Sequence, residues 1–296
     1  MPRHNILIIA NRRSGTGSAA DLETLATRVL RDADVTFTFT YTRAPGHATE
    51  LARDGIRDGF TAVVAAGGDG TINEVARAVV GSSTPLGIIP RGSGNGLARH
   101  LGIPLDPEKA LACVVEATPT PIDTFTLNER LSLNVSGIGF DAHVADVFNQ
   151  SKRRGLMNYV RIATQEYRRF VPFNVQIDGT STQAKLHRVF FIAIANSSQY
   201  GNNARIAPAA SVRDGKLNIN AVKRIPLYRL DTVWSLFRGD VTKKSWCTTF
   251  ETRDATFRTD RKVAYHVDGE PCGTDDTFVV RVRAKSLRVI VPKGAV

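Results

Sequence analysis

Three glycine-rich turns in this chain have the composition of phosphate-binding loops. They comprise residues 11–17, 67–70 and 90–96. Glycine adopts backbone angles closed to other residues and leaves room for a ligand beside the main chain. The central turn, Gly-Gly-Asp-Gly, precedes a predicted helix, whose first N–H groups and positive dipole end attract anions. Asp69 repels phosphate unless it holds a cation or takes a proton, so it indicates a reaction as well as binding.

A purely structural interpretation of the central turn is the alternative, with Asp69 or Thr71 serving only as the N-cap of the helix. The three turns also carry short polar side chains and arginines: Ser14, Thr16, Thr71, Ser93, Asn95, Arg12, Arg13 and Arg91. None of the turns contains the Gly-Lys-Ser/Thr of a Walker A loop, and none completes a dinucleotide fingerprint. Together they predict a nucleotide cradle that is neither a P-loop nor a Rossmann site.

The first 120 residues alternate short β-rich runs with helical stretches, which is typical of a parallel sheet covered by helices. The predicted strands are 5–10, 35–41, 62–66 and 86–90, and the predicted helices are 19–31, 48–57 and 71–80. Ligands bind such sheets at the carboxyl ends of the strands. Each glycine-rich turn follows the end of a strand, so we expect the turns to form one site.

The chain changes character at Thr118-Pro-Thr-Pro121, after which it is mostly strand-like. We therefore predict an α/β domain with a mostly parallel sheet over 1–122 and an antiparallel β domain over 123–296. The second domain's predicted strands are 131–135, 173–177, 189–195, 217–222, 262–267, 278–282 and 287–291, with helical insertions at 141–170 and 226–238. Whether the last strand, near 286–296, packs back on the first domain is left open.

The net charge of +11 is confined to the second part of the chain. Residues 1–122 hold 12 basic and 12 acidic residues, so the remainder holds 39 − 12 = 27 basic and 28 − 12 = 16 acidic residues. This asymmetry predicts a polyanionic partner, with a solvated face that serves solubility as the alternative. An anionic membrane is favoured over nucleic acid because aromatic content is 7% and no RNA-recognition or helix-turn-helix pattern occurs.

Composition excludes several other classes. No apolar run approaches the roughly 18 residues of a membrane span, and no signal peptide is evident. We therefore expect a cytoplasmic protein with peripheral membrane association. Cys113, Cys247 and Cys272 are too few and too widely spaced for a disulfide framework or a zinc site.

Two long segments resemble the catalytic domain of the diacylglycerol kinase and sphingosine kinase family of lipid kinases. They are Gly67–Val75, Gly-Gly-Asp-Gly-Thr-Ile-Asn-Glu-Val, and Pro85–Ala98, which contains Pro-Arg-Gly-Ser-Gly-Asn-Gly. Later segments resemble further blocks of the family in the same order: 136–144, 200–203, 206–208, 214–217 and 267–271. Agreement in order and spacing over nearly the whole chain argues against chance.

The resemblance implies an ATP-dependent, Mg²⁺-dependent kinase that phosphorylates a hydroxyl of diacylglycerol or a related lipid, or of a sphingoid base. It implies a nucleotide-binding α/β domain and a lipid-binding β-sandwich around a cleft. The implied nucleotide-binding residues are Asn11, Ser14, Gly15, Thr42, Gly67, Gly68, Asp69, Gly70, Thr71, Glu74, Gly92, Ser93, Asn95, Arg153 and Arg154. Asp69 would help to hold Mg²⁺, and Glu270 would be the base that receives the hydroxyl proton, with Asp268 as the second candidate.

Further roles are implied for residues of the second domain. Asp141 matches the acidic position that holds the polar head of the lipid, although an acid there is more often a helix N-cap. A second metal site would fall at Ser211, Asp214 and Lys216, of which only Asp214 offers a charged oxygen. Asp268-Gly-Glu270 would be a plain hairpin turn if judged on local sequence alone.

The sequence departs from the family pattern in two of the glycine-rich turns, and other functions are alternatives to a lipid kinase. The first turn lacks the usual proline after asparagine, and the third turn is closer to sphingosine kinase-like sequences. NAD kinase and phosphofructokinase share the Gly-Gly-Asp-Gly turn but not the segments that follow it. A non-catalytic protein that senses nucleotides and binds anionic surfaces is the rival of another class. The oligomeric state is left open, with a homodimer among the alternatives.

Overall fold

The computed structural model describes residues 5–12, 14–15, 19–151, 156–180, 182–225, 235 and 238–295. The chain divides into two compact units. The first comprises 1–124 together with 284–296, and the second comprises 125–283. The division lies two residues beyond the predicted boundary, and the C-terminal segment belongs to the first unit.

The first unit alternates strands and helices. Its elements are β1 (Asn5–Ala10), α1 (Ala19–Asp32), β2 (Thr36–Tyr41), α2 (His47–Arg57), β3 (Ala62–Gly67), α3 (Asp69–Val79), β4 (Leu86–Pro90), α4 (Gly96–His100), α5 (Pro107–Glu116) and the start of β5 (Thr118–Leu127). β1 pairs in parallel with β2 and β3, and β3 pairs in parallel with β4. All six residues of β3 are buried, as expected for a strand covered on both faces.

In its described residues, the second unit consists of antiparallel strands with two inserted helices. Its elements are β6 (Arg130–Ser132), β7 (Val135–Gly139), α6 (Phe140–Gln150), α7 (Leu156–Arg169), β8 (Phe173–Gly179), β9 (Gln183–Ala195), β10 (Leu217–Lys223), a 3₁₀ turn (Val241–Lys243), β11 (Cys247–Thr252), β12 (Asp254–Val267) and β13 (Glu270–Val291). β7 and β8 lie end to end between β9 and β12, each pairing with a different part of both. The core is built around Phe125, Phe173, Phe257 and Phe278.

Several predicted elements were wrong in detail. The Thr118-Pro-Thr-Pro121 segment, where the chain was expected to change character, is the start of β5. Helix α5, which Asp106 caps by accepting from the Lys109 N–H, was not predicted. The predicted strand 131–135 is interrupted, since the Leu133 and Asn134 N–H groups turn toward the Asp268 carboxylate. The predicted insertion at 226–238 lies almost wholly outside the described residues.

The last two predicted strands, 278–282 and 287–291, are one strand, β13. Its first part pairs antiparallel with β12, while Val289 pairs in parallel with Leu86 of β4. No helix in the described part of the chain is long and apolar enough to cross a membrane.

Candidate functional site

Two of the glycine-rich turns pack backbone against backbone in the first unit. A Cβ atom on Gly92 would lie 2.7 Å from Cα of Gly68, and a Cβ on Gly68 would lie 3.2 Å from Cα of Gly92. The Arg91 N–H also donates to the Gly67 carbonyl at 2.8 Å. Only glycine permits this approach at Gly92, because any side chain would push the turns apart.

The first turn lies beside the third. Gly15 has φ +90°, and a Cβ there would lie 3.0 Å from Nε of Arg91. The Asn11 N–H donates to the Ala66 carbonyl at 3.1 Å, which joins the first turn to the end of β3. The structure therefore brings together the three turns, which lie up to about 80 residues apart in the sequence.

Asp69 is the first residue of α3, and Gly68, in an extended conformation, is the N-cap. The interpretation of Asp69 or Thr71 as the N-cap was therefore wrong. Thr71 is buried, and its hydroxyl accepts a hydrogen bond from Nδ2 of Asn11 at 3.4 Å. A Cβ on Gly67 would lie 2.5 Å from that hydroxyl. Thr71 thus fixes the turn, while the first turn of α3 offers backbone N–H groups to an anion.

The residues of this cradle fit a nucleotide phosphate with Mg²⁺. Mg²⁺ is commonly held by one or two carboxylates together with phosphate oxygens. Asp69 supplies one carboxylate at the N-terminus of α3. Among the described residues there is no cluster of three or more His, Cys, Asp or Glu side chains that would hold a metal by itself. The donor set therefore suits a cation that arrives with the nucleotide.

Three predicted nucleotide-binding residues have structural contacts that the sequence did not indicate. The side-chain amide of Asn95 accepts from the Gly92 N–H and donates to the Gly92 carbonyl, each at 2.8 Å, so it shapes the third turn. Glu74 accepts the Ala48 N–H at 3.2 Å and thereby caps α2. The Thr42 N–H donates to the Ala10 carbonyl at 3.0 Å, which extends the β1–β2 pairing.

The other predicted residues of the first unit lie on the turns as expected from their positions. Ser14 is partly buried, and Ser93 is exposed on the third turn. Arg12 stacks over the Tyr41 ring, with Cζ 4.3 Å from the ring centroid. Arg13, Thr16, Arg153 and Arg154 lie outside the described residues.

In the second unit, Asp268 and Gly269 form the two-residue turn between β12 and β13. Their φ angles are +49° and +86°, and Val267 pairs with Glu270 across the turn. Two positive φ angles are the signature of a type I′ hairpin, for which Asp-Gly is a preferred sequence. The hairpin interpretation is therefore confirmed, and it places Glu270, which is exposed, at the start of β13.

The Asp268 carboxylate accepts three hydrogen bonds from the end of β6 and the loop that leads to β7. Oδ1 accepts from the Ser132 hydroxyl at 2.6 Å and the Asn134 N–H at 3.0 Å, and Oδ2 accepts from the Leu133 N–H at 2.8 Å. The Asp268 N–H donates to the Ser136 hydroxyl, which donates to Ser132 and closes a ring of hydrogen bonds. Asp268 thus anchors the turn, and most of the acceptor sites of its carboxylate are engaged.

Asp141 lies in the first turn of α6, whose N-cap is Gly139, so the N-cap interpretation of Asp141 was wrong. Its Oδ2 accepts from the Tyr200 hydroxyl at 3.1 Å and lies 3.2 Å from Nε2 of His266. Burial, followed by the charge of Asp141, raises the pKa of Tyr200 well above its usual value. The same two causes raise the pKa of Tyr159 to about 12. Both phenols remain protonated at neutral pH, so Tyr200 acts as a donor to Asp141.

Sequence reasoning gave no role to His266, Tyr200 or Gly137. A glycine inside a strand indicates a close approach, but the predicted strand ended at residue 135, so this signal for Gly137 became available only with the observed bounds of β7. A Cβ on Gly137 would lie 2.1 Å from Oδ2 of Asp141 and 2.6 Å from Nε2 of His266. The two side chains meet directly over the backbone of β7.

The predicted second metal site forms an ordinary turn. Asp214 accepts the Lys216 N–H at 2.9 Å, and the Ser211 hydroxyl accepts the Arg213 N–H at 3.3 Å. The Lys216 ammonium pairs with Glu251 at 2.8 Å. One exposed carboxylate beside an ammonium group is a poor donor set for a cation, so these residues do not fit a structural metal site.

Two family profiles match the chain, one in each part. The family described as the diacylglycerol kinase catalytic domain matches residues 5–127, and the one described as the YegS C-terminal NAD kinase beta sandwich-like domain matches residues 134–291. The chain belongs to the diacylglycerol kinase family. The resemblance inferred from the sequence is thereby confirmed, and the chain is a member of a family of lipid kinases.

Similar proteins agree with this membership. A protein of Bacillus subtilis named "Diacylglycerol kinase" is 29% identical over 260 residues, which is 85% of this chain and 84% of that protein. A protein of Chromohalobacter salexigens named "Probable lipid kinase YegS-like" is 26% identical over 262 residues, covering 84% of this chain and 82% of that protein. The crystal structure of a diacylglycerol kinase from Bacillus anthracis has a TM-score of 0.77 at 18% identity, with 99% and 98% of the two chains covered, so the fold is shared.

Proposed function

We propose that the protein transfers the γ-phosphate of ATP to a hydroxyl group of diacylglycerol or a closely related lipid. The observation that carries this proposal is the contact of three glycine-rich turns around Asp69 at the start of α3. Backbone N–H groups, a helix N-terminus and one carboxylate form a site for a phosphate chain with a cation. A sphingoid base is the alternative acceptor.

The first unit is proposed to hold the nucleotide. Gly68 and Gly92 leave the backbone accessible to phosphate oxygens. The buried Thr71 stabilises the turn through the hydrogen bond that its hydroxyl accepts from Asn11. Asp69 would hold Mg²⁺, which neutralises phosphate charge when bound. Positioning and charge neutralisation supply most of the catalysis in phosphoryl transfer, so these residues would carry much of the rate.

The second unit is proposed to supply the base. Glu270 is exposed at the start of β13, whereas both oxygens of Asp268 are engaged by the loop between β6 and β7. We therefore assign proton abstraction to Glu270 and positioning of the turn to Asp268. As the acceptor oxygen bonds to the γ-phosphorus and the bond to the ADP oxygen breaks, the hydroxyl proton passes to Glu270. Asp141 would hold the polar head of the lipid.

Purified protein with Mg-ATP should phosphorylate diacylglycerol presented in mixed micelles. Glu270→Gln should abolish turnover while the melting temperature stays within about 2 °C of wild type, because Glu270 is exposed. Asp69→Asn should also abolish turnover, and circular dichroism should show that the variant is folded. Intact ATP binding without transfer to diacylglycerol, monoacylglycerol or a sphingoid base would instead support a nucleotide sensor. A Glu270→Gln variant with near-normal turnover would show that the base is another group.

We further propose that α7 touches an anionic bilayer. Met157 is 81% exposed, Val160 is 49% exposed one helical turn further, and Val171 is 61% exposed just beyond the helix. Arg168 and Arg169, in the last turn, are exposed. Apolar side chains beside arginines suit the boundary between acyl chains and anionic headgroups.

Vesicle flotation tests this contact. The protein should float with phosphatidylserine-containing vesicles at low salt and dissociate as salt rises. Met157→Ser should weaken flotation, whereas Leu105→Ser, which changes a 40% exposed apolar residue of the first unit, should not. Equal flotation with pure phosphatidylcholine, or equal losses in both variants, would contradict the proposal.

A further inference from the structure

We propose that His266 is a positioning residue that fixes two groups of the acceptor site at once: the lipid-holding carboxylate of Asp141 and the turn that precedes Glu270. The proposal rests on the function proposed above. His266 is 3% exposed, Nε2 lies 3.2 Å from Oδ2 of Asp141, and Nδ1 lies 3.1 Å from the Gly269 nitrogen. Both ring nitrogens are therefore engaged, one with each group.

The contacts assign the tautomer of His266. The Gly269 N–H can only donate, so Nδ1 of His266 must be the unprotonated acceptor. Nε2 then carries the hydrogen and donates to Asp141. The imidazole is thus a rigid bridge with an acceptor toward the turn and a donor toward the carboxylate.

The surrounding residues confine this bridge closely. His266 pairs with Gly137 across β12 and β7, and a Cβ at Gly137 would fall within 2.6 Å of Nε2. Asp141 is held from other directions by the Tyr200 hydroxyl at 3.1 Å and by the Ala142 N–H, which reaches Oδ1 at 2.8 Å. Three contacts therefore orient the carboxylate before any lipid binds, which lowers the cost of binding.

The two contacts have different kinetic consequences. The contact with Asp141 orients a group proposed to hold the ground-state lipid, so its loss should appear mainly in KM. The contact with Gly269 holds the turn that leads into Glu270, the proposed base, so its loss should appear mainly in kcat. Substitution of a residue that only supported the fold would not change KM and kcat separately.

Two substitutions separate the contacts, because each amide imitates one ring nitrogen. His266→Asn places a carbonyl oxygen near the position of Nδ1, which retains the acceptor for Gly269 and removes the donor to Asp141. His266→Gln places its amide near the position of Nε2, which retains the donor and removes the acceptor. We expect a KM for lipid raised about tenfold in His266→Asn and a kcat lowered about tenfold in His266→Gln, as for one lost buried hydrogen bond.

A structural readout accompanies the kinetics. Hydrogen exchange of the Gly269 amide should be faster in His266→Gln and unchanged in His266→Asn. If the wild type phosphorylates no lipid, the proposed function fails, while the exchange rates still decide whether His266 holds the turn. Identical kinetic changes in the two variants, or wild-type exchange at Gly269 in His266→Gln, would overturn the positioning role.

A third variant covers the case in which neither His266 substitution folds. Tyr200→Phe removes the other donor to Asp141 and leaves His266 and the turn untouched. Its KM should rise while kcat and Gly269 exchange stay at wild-type values. A lowered kcat in this variant would refute the separation of the two contacts.

Discussion

Replacing Asp268 with asparagine is the most direct test of the division of roles between the two carboxylates of the turn. The wild-type side chain accepts three hydrogen bonds through two oxygens, from Ser132, Leu133 and Asn134. Asparagine has one acceptor oxygen. If that oxygen keeps the position of Oδ1, the new NH₂ group faces the buried Leu133 N–H, and two donors meet. The opposite orientation gives no relief, because the NH₂ group then faces the Asn134 N–H and the Ser132 hydroxyl loses the acceptor of its hydrogen bond.

The magnitude follows from these contacts. An N–H left buried without an acceptor costs about 1–3 kcal/mol, and the remaining bonds weaken because hydrogen bonds to a charged acceptor are roughly twice as strong as neutral ones. We expect a loss of about 3 kcal/mol in the free energy of unfolding. For a unit of this size, that corresponds to a fall in Tm of roughly 6–12 °C.

Thermal unfolding by circular dichroism measures the effect, with Asp214→Asn as the matched control. Asp214 is exposed and accepts from the Lys216 N–H, so its substitution should move Tm by about 2 °C or less. Asp268→Asn, assayed well below its Tm, should keep measurable kinase activity, whereas Glu270→Gln should lose it. A wild-type Tm combined with complete inactivity in Asp268→Asn would refute the reasoning and make Asp268 the base.

Two further predictions concern the first unit. Gly92→Ala should reduce ATP affinity at least tenfold in calorimetric titration, since the new methyl group would lie 2.7 Å from Cα of Gly68. Gly59→Ala is the control: its methyl group would meet nothing within 4 Å but φ there is +79°, so this variant should lose some stability and keep its ATP affinity. Equal affinities in all three proteins would contradict the packing argument. Burial lowers the pKa of His100 to about 4 in the folded state. In the unfolded chain the same imidazole has a pKa near 6.5, so the unfolded state takes up a proton first as the pH falls. Stability is therefore complete above about pH 6.5 and falls, by at most about 3 kcal/mol, as the pH drops toward 4. His100→Gln should flatten this dependence of Tm on pH, and an unchanged slope would show that other groups cause it.

The sequence by itself determined the features that depend on a few neighbouring residues. Glycine density after each apolar strand identified the turns that we propose to bind phosphate, because turn conformations are set by local backbone preferences. The Asp-Gly hairpin before Glu270 was likewise predictable from two neighbouring residues, and the order of motifs along the chain identified the family.

Only the tertiary structure decided what each polar side chain touches. Asp268 meets Ser132 from 136 residues away, and His266 meets Asp141 from 125 residues away. Glu74 and Asn95, which the family resemblance assigns to the nucleotide, also contact Ala48 and Gly92, and no local pattern indicated these contacts. The physical reason is that a side chain's partners depend on which strands become neighbours in the sheet. Strand order is fixed by packing of the whole chain, and no local pattern encodes it.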